Sequence, residues 1–237
     1  MIEVKSELRS WPRATAGTTH RAETTLDEHS YAIIKRAVDV MGAGALLLLL
    51  TPLLVLLALA IRLDSPGAAL FRQKRVGRWG REFTMFKFRS MYADAGEELH
   101  RQFARSYING ACKPSGSGRR VFKPSDDPRV TRVGRWLRRT SLDELPQLVN
   151  VLRGEMSLVG PRPAVKYEVQ EYAPWHMGRL AVLPGLTGLA QISGRSSLTF
   201  DRIVRLDLQY VRRRCIATDL SILLRTVPVV LGAKSSG

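Results

Sequence analysis

Val40 to Ile61 reads VMGAGALLLLLTPLLVLLALAI, 22 residues without a charge. A straight helix of that length rises roughly 33 Å, enough to cross the hydrocarbon core of a bilayer. A cleaved signal peptide fits poorly, because a polar stretch of about 30 residues precedes the run and no small-residue cleavage site follows it cleanly. The run is therefore expected to stay in the chain as a membrane anchor. Thr51-Pro52 sits at its centre. Proline removes one backbone hydrogen bond and crowds the preceding turn, so a kink is expected there, with the Thr51 hydroxyl available to a nearby carbonyl.

Two topologies follow: a spanning helix that tolerates its proline, or a re-entrant helix that enters and leaves by one face. The flanks bear on the choice. Lys35 and Arg36 precede the run and Arg62 follows it. The positive-inside tendency resists placing either flank outside. The sequence beyond Arg62 is strongly basic, which places it on the cytoplasmic side.

The whole chain carries 37 Lys+Arg against 21 Asp+Glu, a formal charge of +16 over 237 residues. Such an excess points to a polyanionic partner: nucleic acid, an anionic lipid surface or phosphorylated substrates. The two cysteines, Cys112 and Cys215, have no Cys/His cluster near them, which argues against zinc and gives no disulfide framework. His20, His29, His100 and His176 show no ligand spacing. Trp136 and Trp175 read as core or interfacial anchors.

Three parts are expected: a polar tail over 1–30, a membrane helix over 31–64 with a break at Thr51-Pro52, and a catalytic domain over 65–237. Asp64-Ser65-Pro66-Gly67 is a turn signal. Residues 69–73 and 83–88 alternate as short strands around a hairpin loop at 76–80. Residues 92–107 have helical composition, and 109–127 read as a loop. Val130, Val133, Trp136 and Leu137 recur at helical spacing over 129–139. A helix over 145–152 closes at Gly154. Gly160-Pro161-Arg162-Pro163 is a rigid turn, and 165–172 reads as helical. Residues 183–189 read as a glycine-rich loop. A basic amphipathic helix runs over 200–214, and 220–231 is an apolar helix too short to span.

Asp143 and Glu144 stand just after Arg132, Arg135, Arg138 and Arg139. Ser141-Leu142-Asp143-Glu144 fits a capping box, and acids favour a first helical turn. Pro146 also suits a first turn. A cap is compatible with chemistry, because a carboxylate can attack phosphorus or bind Mg²⁺. The arginines form a solvated or headgroup-facing surface, from which one or two can clamp a phosphate. Lys87 and Arg89 alternate along a strand and are expected on one face. Arg162 is held between prolines.

These residues resemble the bacterial sugar transferase family, the monotopic phosphoglycosyl transferases. The matching parts are KRAVDV before the apolar run, FRQKRVGRWGREFTMFKFRSM, DPRVTRVGRWLRRTSLDELPQLVNVLRGEMSLVGPRP and LPGLTGLAQISGR, in family order. The resemblance implies a re-entrant helix, with Thr51-Pro52 where the family often has Ser-Pro. It implies an Asp-Glu dyad at Asp143 and Glu144 with Mg²⁺, and Asp143 as nucleophile. Asp143 would attack the β-phosphorus of a UDP-sugar, release UMP and carry the phosphosugar until polyprenyl (undecaprenyl) phosphate takes it. Lys87, Arg138 and Arg162 match phosphate-contacting positions. Arg89, Gln147 and Arg195, in the same motifs, complete the candidate substrate-binding set. The chain looks like the short catalytic-unit form of the family.

The expected fold is thus α+β, mainly helical, with a re-entrant membrane helix and a small cytoplasmic domain holding a β-hairpin and amphipathic interface helices. The expected place is the cytoplasmic face of the bacterial inner membrane. UDP-glucose or UDP-galactose is the expected donor, because LTGLAQISGR looks like exopolysaccharide-type members; an N-acetylated sugar stays open. Membrane lipids are expected partners and a homodimer is the candidate assembly. A non-catalytic lipid-binding scaffold would have no need of Asp143, Glu144 and Arg162 together. Nucleic acid is not expected as a partner, since no nucleic-acid module is visible.

Overall fold

The computed structural model describes residues 27–92, 98–110, 127–194 and 197–231. Most of the expected 1–30 tail and of the expected 109–127 loop, with Cys112, lies outside them, and residues 28–30 belong to the first helix.

Helix α1 runs Glu28–Asp64, 37 residues or roughly 55 Å. It starts ahead of Tyr31 because the Asp27 carboxylate accepts the Ser30 N–H at 2.8 Å. Helical turns continue on both sides of Pro52, which lies inside the one element. One missing N–H costs one hydrogen bond, and the turns on either side carry on. The Thr51 hydroxyl donates to the Leu47 carbonyl at 2.6 Å. Proline deprives the next carbonyl, that of Leu48, so the hydroxyl serves the neighbour of the freed group. The helix ends at Ser65, whose N–H returns to Ile61 O, and Gly67 turns the chain at φ 112°.

Strand β1 (Leu70–Val76) pairs antiparallel with β2 (Glu82–Phe88), in register from Leu70↔Phe88 to Val76↔Glu82. The turn between them uses positive φ at Trp79 and Gly80. Next come α2 (Glu98–Ile108), α3 (Arg132–Thr140), a 3₁₀ helix over Leu142–Gln147 and α4 (Leu148–Leu152), with Gly154 at φ 75°. Strand β3 (Ser157–Val159) then pairs parallel with β4 (Gly185–Thr187), so the glycine-rich stretch expected as a loop holds a strand. Between them lie α5 (Lys166–Val169) and a 3₁₀ segment over Pro174–Ala181. Helices α6 (Leu189–Ile192), α7 (Phe200–Arg213) and α8 (Ile216–Leu231) close the chain.

The main core gathers Leu148, Val151, Met156, Val159, Tyr210 and Ile222, with Ala43 of α1. A second cluster joins Leu57 and Ile61 of α1 to Phe88 and Leu137. Both halves of α1 therefore pack on the same folded body. Its middle does not: Leu48 and Leu49 are 80% and 75% exposed.

Polar ties reinforce the N-terminal half of α1. Arg36 donates to the carbonyls of Val151 and Leu152 at 2.6 and 2.8 Å, which caps α4. Buried Asp39 accepts from Ser157 Oγ and Leu158 N–H at 3.0 and 2.9 Å. Asp219 accepts from Tyr31, Lys35 and Tyr210.

Candidate active site

The acid pair is aimed by a backbone reversal. Thr131 caps α3 by accepting the Gly134 N–H at 3.0 Å, and Gly134 lies so close to Ser90 that a Cβ would sit 2.1 Å from its carbonyl oxygen. Helix α3 ends at Ser141, a non-glycine residue at φ 59°, ψ 15°. The capping box expected over Ser141–Glu144 does not form. The Ser141 side chain makes no cap bond, and the Glu144 N–H bonds the Ser141 carbonyl at 3.2 Å. A left-handed residue cannot present the extended geometry that an N-cap side chain needs.

The 3₁₀ helix then separates the two acids. At three residues per turn, neighbours diverge by about 120°, and residues three apart eclipse. Asp143 therefore turns inward with Pro146, and Glu144 faces the same way as Gln147. Asp143 is 1% exposed, and its Oδ2 lies 2.6 Å from Lys87 Nζ on β2. Glu144 Oε1 accepts from Arg162 Nη1 at 3.3 Å. Arg138 completes the Asp143 side: burial lowers its pKa, and the Asp143 and Asp127 carboxylates act against that shift. On the other side a small cleft is lined by Glu144, Gln147, Arg162, Arg75, Met85 and Gly185.

Comparison with known proteins places this arrangement. The model of the bacterial sugar transferase family matches residues 30–233. The chain belongs to that family. It is 44% identical over 211 residues to the galactosyl transferase CpsE of Streptococcus agalactiae, covering 87% of this chain and 45% of that protein. It is 41% identical over 202 residues to the exopolysaccharide production protein ExoY of Rhizobium meliloti, covering 85% and 87%. It is 43% identical over 205 residues to the UDP-glucose:undecaprenyl-phosphate glucose-1-phosphate transferase of Caulobacter vibrioides, covering 83% and 69%. The chain thus spans less than half the length of the streptococcal relative.

Within this family member, Lys87 and Arg138 stand beside Asp143, and Arg162 and Gln147 stand with Glu144 at the cleft. Arg89 does not join them. It is 7% exposed, and its guanidinium donates to the carbonyls of Ile61, Ser65 and Pro66, where it caps the end of α1. Strand alternation placed it on the Lys87 face, but it lies just past the end of β2, where the pleat no longer fixes direction. Arg195 lies outside the described residues. Thr51 and Pro52 belong to the exposed middle of α1, away from the acid pair's own contacts.

Two residues escaped the sequence reading. Asn150 is fully buried; it accepts the Phe86 N–H and donates to Thr84 O and Glu155 Oε2, locking α4 to β2 beside Lys87. Arg75 lines the cleft from β1. An asparagine inside a helical apolar run and an arginine inside a strand motif were the available signals.

Among the described residues no group of three or more His, Cys, Asp or Glu gathers for a metal. The site offers two carboxylates, Asp143 and Glu144, the kind of oxygen donor that a Mg²⁺ site completed by water and substrate phosphate would use.

Proposed function

We propose that this chain transfers a sugar-1-phosphate from a UDP-sugar to undecaprenyl phosphate and releases UMP, with Asp143 as the nucleophile. The observation that carries this is the acid pair itself: a buried Asp143 against Lys87 at 2.6 Å, next to a Glu144–Arg162 pair at 3.3 Å that borders a cleft. The names of relatives that act on UDP-glucose and undecaprenyl phosphate support the same reading.

The chemistry is two displacements. A carboxylate oxygen of Asp143 bonds to the β-phosphorus, the bond to the α–β bridging oxygen breaks, and UMP leaves with that electron pair. An oxygen of the lipid phosphate then bonds to the same phosphorus, and the carboxylate is released. Lys87 is the more exposed partner of its pair, at 19%. An arriving phosphate offers it a new acceptor, and its departure uncovers Asp143. Arg138 and Arg162 offset phosphate charge. Asp143 and Glu144 would hold Mg²⁺, which when bound neutralises charge on the diphosphate.

The same reading puts the chain on the cytoplasmic face of the bacterial inner membrane, with α1 re-entrant. The support is geometric. Asp39 and Ala43 in one half of α1, and Leu57 and Ile61 in the other, are buried against one body, while the apolar middle is exposed. A helix held at both ends by one domain has both ends on one side of a bilayer. The donor sugar is glucose or galactose, in exopolysaccharide synthesis, on the strength of the relatives' names.

The test is UMP release from purified protein with Mg²⁺, a panel of UDP-sugars and undecaprenyl phosphate. Asp143→Asn is expected to abolish it while the protein stays folded and membrane-bound. Turnover near the wild-type rate in that variant would remove Asp143 as nucleophile. Tags at residues 27 and 231 are expected to be reachable from the cytoplasmic side alone; labelling of either from outside excludes the re-entrant arrangement.

A further inference from the structure

The β1–β2 hairpin gives the site a direction. Its Leu70/Phe88 end packs on Leu57 and Ile61 of the membrane helix. Its Val76 end packs on Met177 and Leu180. Lys87 pairs with Phe71 near the first end, and Arg75 lies four residues farther along β1, opposite Phe83. At about 3.3 Å per residue the two levels are roughly 13 Å apart. Arg162 belongs to the far level, because Pro163 and Ala164 bond to Arg75 and Val76 there. The cations therefore form two groups, Lys87 with Arg138 near the membrane helix and Arg75 with Arg162 away from it.

Among the described residues Arg75 and Arg89 both leave a buried Nε–H unpaired, and of the two only Arg75 lines the cleft. It is 9% exposed. Its Nη1 donates to Pro163 O at 3.1 Å and its Nη2 to Gln73 Oε1 at 2.7 Å. Its Nε–H is buried and has no acceptor among the described residues. Buried donors are almost always paired, so this unmade bond leaves the Arg75 guanidinium, which lines the cleft, a bond to gain by turning toward an entering acceptor. Burial, and then the charge of Arg162, lower the Arg75 pKa, with Glu168 and Glu144 acting against them. Arg75 and Arg162 outnumber the one carboxylate that lines the cleft, Glu144, and the net positive charge favours an anion there.

We propose that Arg75 is a substrate-binding residue that holds the nucleotide-side phosphate of the donor. This rests on the transferase reading above. The choice between the two phosphates follows from the direction of the hairpin. A lipid-borne phosphate must stay within reach of the bilayer, at the α1 end, whereas the water-soluble nucleotide can occupy the far level. Arg75 and Arg162 then grip the nucleoside monophosphate that leaves, and Lys87 and Arg138 face the phosphorus and the incoming lipid.

The experiment measures binding apart from turnover. UMP binding to the full chain in detergent is followed by calorimetry, and UDP-glucose and UDP-galactose binding is followed in the Asp143→Asn background. Arg75→Lys keeps the charge and removes the fork and the Nε–H, so affinity for UMP is expected to fall about tenfold or more. The KM for undecaprenyl phosphate is expected to stay within about twofold. Wild-type UMP affinity in Arg75→Lys, or a raised lipid KM with unchanged UMP affinity, overturns the assignment of Arg75 and leaves the transferase reading standing. A wild-type chain that binds neither UMP nor a UDP-sugar overturns the transferase reading, and this proposal with it. Should Arg75→Lys not fold, amide exchange at Val76, bonded to Ala164, is read in the wild type. Saturating UMP is expected to slow it and uridine is not; equal exchange with and without UMP overturns the proposal.

Discussion

Two buried ion pairs in this molecule look alike on paper. Lys87–Asp143 and Arg179–Asp207 both close at 2.6 Å, with carboxylates 1% and 2% exposed. Their surroundings differ. Arg179 is 5% exposed, donates to Tyr172 Oη at 2.8 Å, and lies 5.7 and 5.9 Å from the Tyr172 and Phe200 ring centres. Lys87 is 19% exposed and adjoins a second acid–base pair beside a cleft. One pair is sealed by aromatic rings and joins α7 to the Pro174–Ala181 segment. The other keeps its cation partly exposed beside a cleft. Burial and a short distance therefore do not mark a reactive carboxylate. On the reading proposed above, a partly exposed cation and a second acid next to it do.

The largest expected effect separates the two pairs. Asp143→Asn is expected to lower transfer by about 10³-fold or more, because a neutral amide cannot replace the nucleophilic carboxylate proposed above. Its stability is expected to change little, since Lys87 can turn to water. Asp207→Asn is expected to do the reverse. It strands Arg179 as an unpaired buried charge, at a cost of roughly 3–5 kcal/mol in denaturant unfolding, with near wild-type activity per folded molecule. An Asp207→Asn protein that is stable but inactive would break the comparison.

The open site was more legible in sequence than the frame that holds it. Asp143, Glu144 and Lys87 stand in dense local motifs, and the apolar run and the hairpin announce themselves by length and alternation. The frame depends on distant partners. Strands β3 and β4 are three residues each, too short for a period, and pair across about 28 positions of chain. Arg89 reads as one more basic residue until the end of α1 is seen beneath it. Ser141 reads as an N-cap because S-x-x-E is a local pattern, whereas its left-handed conformation follows from how α3 meets the 3₁₀ helix. The sealed Arg179–Asp207 pair left no trace beyond two charges in amphipathic segments.

A smaller effect asks whether the open site leans on that frame. Gly185 lies in β4 and in the wall of the cleft. A Cβ there would meet Gly160 N at 2.0 Å and Thr187 O at 2.4 Å, both backbone. Gly185→Ala is expected to destabilise by roughly 1–3 kcal/mol and to raise the KM for the UDP-sugar, because β4 must move away from β3. Gly44→Ala is the control, since nothing lies within 4 Å of its added Cβ. If both variants behave as wild type, the cleft does not depend on the contact between the two strands.

The smallest effect belongs to the sealed side and sharpens the contrast through pH. His176 is 5% exposed, with its ring centre 4.2 Å from that of Trp175, 5.1 Å from Phe200 and 5.7 Å from Tyr172. Its Nδ1 accepts the Ala173 N–H at 3.0 Å, and its Nε2 lies 3.6 Å from Asp201. Burial lowers its pKa, and Asp201 acts against that shift. The folded protein therefore resists a proton that the unfolded chain accepts at about 6.5. The unfolded state binds more protons below that pH, so stability is complete above it and falls as the medium is acidified through the depressed folded value. Between pH 7.5 and 5.5 the melting temperature of the wild type is expected to drop more than that of His176→Gln, which keeps a hydrogen-bond acceptor but does not titrate. The UMP affinities of the two proteins are expected to stay equal at pH 7.5, because His176 serves the sealed pair's surroundings and touches no part of the cleft. Parallel melting curves across this range would mean that the sealed side does not distinguish the two protonation states, and a loss of UMP affinity would mean that it is not separate from the open one.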